Sequence, residues 1–324
     1  MKKIDIIGIR TILFDNKTIK QTIFKNISWL TFETVISKLL MLVLLIYAAR
    51  ILGATEYGKF TFALAFISLF AIFHEFGLPL IVTREFSREE EREKEFYSIF
   101  SLKIVLSSLA LILILISSFF ITSDPVIQKI ILILALFSLV NGFLTIIYAF
   151  FQARQRMEYR AWAAILQASA VTAVGIFVLL NFPSVRNLSY SYLFASLVTL
   201  IFVLFFFHFK VFPLRISWQK KIWQKFLKMS WPLAFISLFG VIYTYIDSVM
   251  MGYWGYITET GWYNAAYSII HIALVPAGLI STAFYPVLSR FFKESKEKLQ
   301  NALNNQMEIM ILLAFPLEIG RAHV

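Results

Sequence analysis

The sequence predicts an all-α polytopic membrane protein, arranged as two pseudo-symmetric parallel six-helix bundles with the second truncated. Three observations predict it. Apolar runs long enough to cross a bilayer follow one another along the chain. Lys and Arg cluster in every second connection between those runs. A short motif recurs at an offset of 202 to 203 residues, at the same position relative to the runs.

Composition sets the solvent. The chain has 324 residues, of which 59% are hydrophobic and 15% charged; soluble domains carry about 25% charged residues. With no Cys, disulfides and thiolate metal sites are excluded. The net charge of +11 belongs to short loops beside apolar runs, so it reads as membrane topology and no nucleic-acid partner is expected. The opening "MKKIDIIGIRTILFDNKTIK" lacks an apolar core followed by a small-residue cleavage site. It reads as a retained cytoplasmic tail, residues 1–26.

The first bundle covers 27–209, with spans near 27–49, 60–82, 97–121, 129–151, 161–182 and 188–209. The first opens at Ser28-Trp29 and ends on Arg50. The second ends at the basic stretch of Arg84 and Arg88. The third and fourth hold "IVLSSLALILILISSFFIT" and "IILILALFSLVNGFLTIIYAFF", neither with a charge. Arg154, Arg156 and Arg160 divide the fourth from the fifth, and Lys210 closes the sixth. A cytoplasmic linker, 210–228, leads to the start of a second bundle at 229–317. That bundle has spans near 229–251 and 263–288, and a ninth opening near 303. Most of the 30 Lys and Arg fall in the tail and the even-numbered loops; the opposite side holds only Arg50, Lys59, Lys129 and Arg186, and Lys38 and Lys103 lie inside spans. Tail and even loops are therefore expected in the cytoplasm of a cell-membrane protein. Trp29, Trp162, Trp218, Trp223, Trp231, Trp254 and Trp262 are expected as interfacial anchors, and Pro79, Pro232, Pro276 and Pro286 as bends.

In the repeat, Ser28-Trp29 answers Ser230-Trp231, Gly53 answers Gly255, and Thr55, Glu56 and Gly58 answer Thr258, Glu259 and Gly261. Phe60 answers Tyr263, and Ala63 answers Ala266. Thr suits a helix cap, Glu its positive first turn and Gly close packing. An even number of crossings separates the copies, so both halves enter the membrane the same way up. Transporters built from repeats hold substrate between the halves and alternate access by rocking them. By that logic twelve spans or more are expected, and this chain reads as truncated. "EIGRAHV", residues 318–324, back-translates into the start of a common sequencing adapter and is expected to be an artefact.

The stretches "KNISWL", "ARILGATEYGKF", "FGL", "TRE" and "YTYIDSVMMGYWG…GWYNAAY" resemble the polysaccharide-export, oligosaccharide-flippase branch of the multidrug/oligosaccharidyl-lipid/polysaccharide (MOP) flippase superfamily. The resemblance covers the chain up to Leu317. It implies movement of a lipid-linked oligosaccharide from the inner to the outer leaflet for surface polysaccharide assembly. The partners it implies are membrane lipid, a polyprenyl-pyrophosphate-linked oligosaccharide and the polysaccharide polymerase machinery.

Ionisable groups inside spans are costly and point to cavities or partners. The head of such a substrate is anionic, so Lys38 near mid-span is the expected attracting group, with Arg50 and Arg84 at the two mouths. The alternative for Lys38 is an ion pair with Glu75. Glu33, His74, Glu75, Asp247 and His271 are candidates for an ion or proton path or for interhelical pairing, and Asp247 could instead pair with Lys59. No phosphate-cradling Gly loop, ATPase motif or nucleophile elbow is found, so no enzymatic activity, cofactor or metal is expected. An ion-coupled multidrug or small-molecule exporter of the same superfamily is the alternative function. An integral-membrane glycosyl- or acyltransferase is a third, disfavoured by outer loops only about ten residues long.

Overall fold

The computed structural model describes residues 19–88, 93–275, 277–278, 280, 284, 288 and 295–321. Every regular element among them is helical. In order they are α1 (Ile19–Leu69), α2 (Ala71–Glu75), α3 (Leu78–Phe86), α4 (Glu93–Ile121), α5 (Pro125–Ala153), α6 (Met157–Asn181), α7 (Val185–Lys210), α8 (Lys220–Tyr253), α9 (Ile257–Ala273) and α10 (Lys296–Arg321). Six of the described helices, α1 and α4 to α8, are long and apolar enough to cross a membrane. In hydrocarbon every backbone polar group must be satisfied internally, which is why the apolar runs become helices.

The boundaries follow local chemistry. Asp124 caps α5, accepting from the Val126 amide at 2.7 Å, and Pro125 takes the first helical position, where its missing N–H costs nothing. Ser184 caps α7 through the Arg186 amide. α1 turns at Gly53, whose φ of 74° suits a residue without a Cβ.

The expected second span is not one rod. It runs through the end of α1, then α2, then α3, with Phe76 and Gly77 both left-handed (φ 46° and 67°) between the last two. Pro79 lies in the first turn of α3, where it starts a helix instead of bending one. Pro232 does lie inside α8; Pro276 and Pro286 fall outside the described residues. α8 starts at Lys220, within the expected linker. The expected eighth span opens on α9 and then passes partly outside the described residues; the ninth falls on α10.

The chain divides into two compact units. One draws on residues 1–38 and 266–324. There Trp29 is buried and meets Phe32 edge-on at 6.2 Å, so it serves packing more than the interface. The other, 39–265, packs α5 and α6 on α7, and α3 and α4 on α5. Part of its core is Phe86, Phe96, Phe150, Phe207, Phe212 and Phe226. Phe96 stacks on Phe207 at 5.4 Å and meets Phe150 at 5.0 Å. Lipid tails are as apolar as these rings, so the gain is packing and ring geometry, about 0.5–1.5 kcal/mol per pair.

Candidate functional site

The break in the second span exposes backbone. α2 ends at Glu75, and the carbonyl of His74 accepts from the Lys103 ammonium of α4 at 2.6 Å. Lys103 is fully buried. A cation at a helix C-terminus meets the negative end of the dipole, and a buried charge needs such a partner. Glu75 is also close enough to act on Lys103 electrostatically. His74 is buried, with Nε2 3.1 Å from Ser138 Oγ of α5. Gly142 leaves the space: a Cβ there would lie 2.8 Å from His74 Nδ1 and 3.2 Å from Lys103 Nζ. A polar ladder continues across the next helices. Gln167 of α6 donates to Asn141 of α5 and to Ser196 of α7, the latter at 3.2 Å.

The same break touches α8. A Cβ on Gly77 would lie 2.9 Å from the carbonyl oxygen of Ser230 and 3.0 Å from Leu233 Cβ, beside Pro232. The left-handed Gly77 thus lets its backbone approach that of α8 beside Pro232.

A second cluster joins the repeated turns. Gly53 and Gly255 are both left-handed, with φ of 74° and 86°. The hydroxyls of Thr55 and Thr258 are hydrogen-bonded at 2.9 Å. A Cβ on Gly58 would lie 1.9 Å from the carbonyl oxygen of Ile257, and one on Gly261 2.1 Å from that of Ala54. A Cβ on Gly252 would strike the Phe62 ring at 2.0 Å. Small residues let helices in lipid approach this closely. Of the residues that match in the repeat, Thr55 meets Thr258 and Gly58 meets Gly261.

A third cluster ties α8 to α9. Tyr263 donates to Asp247 Oδ2 at 2.9 Å, and Ser248 bonds Asn264 at 3.1 Å. Asp247 is therefore held by a hydroxyl, while Lys59, the expected alternative partner, pairs with Glu56 at 2.5 Å.

The other expected residues lie apart from these clusters. Lys38 is exposed on α1 in the first unit, and Glu33 is half-buried one turn earlier. His271 is exposed there, its ring 4.5 Å from Tyr267. In the second unit Arg50 is exposed, and Arg84 is exposed with Nε 3.1 Å from Glu85. The cation beside Glu75 within its own unit is Lys103, which the sequence reading placed in a span without offering a role. Ser138, Asn141, Gly142, Gln167 and Ser196 were missed as well. Amides inside apolar spans were the available signal, since such groups need partners in lipid.

The family described as Polysaccharide biosynthesis protein matches residues 23–292, most of the chain. No curated protein matches it. Solved structures share its fold at low identity. The MATE multidrug transporter DinF-BH is similar over 94% of this chain and 73% of its own, at 13% identity and a TM-score of 0.66. A MOP superfamily transporter from Pyrococcus furiosus is similar over 95% and 72%, at 14% identity and 0.59. A MATE protein in complex with Br-NRF is similar over 94% and 75%, at 18% identity and 0.60.

Proposed function

We propose, for a chain that belongs to the polysaccharide biosynthesis protein family, that it is a flippase moving a lipid-linked oligosaccharide from the inner to the outer leaflet by alternating access. The family match over 23–292 carries the reading. A fold shared with MOP and MATE transporters supports the mechanism. In this reading the N-terminus is cytoplasmic, which the Lys and Arg distribution supports. The paired turns at Thr55 and Thr258 are then the outer closure between two repeated halves. Lys38, exposed at mid-span, attracts the pyrophosphate, since an ammonium there needs water or an anion. Arg50 and Arg84 serve the outer and inner mouths. Delivery on the outer face supplies a polysaccharide polymerase.

The fold shared with a MATE multidrug transporter keeps a second reading, an ion-coupled exporter. One experiment separates the two. The protein is reconstituted in liposomes with a fluorescent lipid-pyrophosphate oligosaccharide, and probe reaching the opposite leaflet is measured by quencher access. The flippase reading predicts transfer above protein-free liposomes and no pumping of a cationic rhodamine dye under an ion gradient. Dye transport without lipid transfer contradicts it.

A further inference from the structure

Outside the three clusters, the second unit carries an apolar groove of about 420 Å³ between the end of α5, the start of α6 and the end of α7. Ala163 and Val203 form its floor, and Tyr159, Trp162, Leu166 and Phe206 its walls. Two small side chains set among aromatics make the hollow. Its size falls in the range of ligand-binding clefts, about 300–1,000 Å³. Trp162 and Leu166 are exposed, so the groove opens outward, where the chain meets acyl chains.

Its two ends differ. Along α7 the lining residues Val203 and Phe206 continue at helical spacing to Lys210, exposed in the last turn. Along α6 Tyr159 leads back to Arg156, exposed and 6.0 Å above the Tyr159 ring. Helices α6 and α7 run antiparallel, so both cations mark the same end. Arg156 also reaches Glu158 at 3.4 Å, and Arg160 is turned to Gln152 at 2.7 Å. Glu158 offsets part of the Arg156 charge, and with Lys210 the rim keeps about one net positive charge. Apolar burial alone gives no drive in lipid; attraction between an anionic headgroup and the net positive charge at the rim does.

We infer that this groove is a binding site for one phospholipid with an anionic headgroup, one chain lying against Trp162 and the phosphate between Arg156 and Lys210. The site does not depend on which substrate is transported. The test uses the full chain in nanodiscs, with brominated-chain phosphatidylglycerol or phosphatidylcholine as a minor component. The Trp162 signal is isolated by difference from Trp162→Phe. Phosphatidylglycerol should quench it at a lipid fraction about fivefold lower than phosphatidylcholine. The rim pair Arg156→Gln with Lys210→Gln, made together with Glu158→Gln so that no buried carboxylate loses its partner, should abolish that preference. Equal quenching by the two lipids, or a preference that survives the rim pair, overturns the assignment. Displacement of phosphatidylglycerol by equimolar polyprenyl phosphate gives the groove to a carrier lipid and overturns it too.

Discussion

Lys103 is a fully buried cation on α4. Its ammonium supplies the donor that the break after α2 takes from the His74 carbonyl. Lys103→Met should destabilise the protein by about 2 kcal/mol, as expected when a charged hydrogen-bond donor is removed from a buried acceptor. The exposed Lys94→Met should change stability by less than about 0.5 kcal/mol. Unfolding midpoints in detergent read both, and an unchanged midpoint for Lys103→Met contradicts the capping role. Lys38 is tested through transport. Its loss should cut polymer export in a complementation assay about tenfold, the loss of one charged hydrogen bond of about 1.5 kcal/mol. Complementation by Lys38→Ala at the wild-type level removes its substrate role. A lone Lys inside an apolar run is visible in a sequence. Its acceptor is not, because the free carbonyl exists only once the helix breaks two residues later. Hence Lys103 was given no role while His74 and Glu75 were noted.

At the scale of elements, glycine positions decide which helices can touch. Gly58→Ala and Gly261→Ala each place a methyl about 2 Å from a carbonyl oxygen, so the turns must separate. Each should cost about 1–3 kcal/mol, as overpacking does. Gly240→Ala, which meets nothing within 4 Å, should be neutral or stabilising by helix propensity. Differential scanning fluorimetry orders the three, and equal midpoints contradict the close crossing. Much of this level was legible. Apolar runs located the helices because lipid leaves no alternative, and the matched Gly and Thr located the turns. That these turns meet was not legible, since a repeat shows equivalence and not contact. The break in the second span was legible only in part. Phe76-Gly77-Leu78-Pro79 holds a left-handed Gly followed by a helix-starting Pro, but an unbroken apolar run hides it.

For the whole molecule the proposals rest on orientation and on repeated halves that meet at the outer side. A cysteine introduced beside Trp29 should react with a membrane-impermeant maleimide only after the cells are opened; labelling in intact cells reverses the topology. The most direct measurement of the mechanism uses the absence of native cysteine. Thr55 and Thr258 bring their hydroxyls to 2.9 Å, close enough for a Thr55→Cys, Thr258→Cys pair to oxidise with little backbone movement. Alternating access predicts that oxidation locks the outer turns together and stops transfer of the lipid-linked oligosaccharide, and that a reductant restores it. Transfer at the unlocked rate by fully cross-linked protein contradicts it.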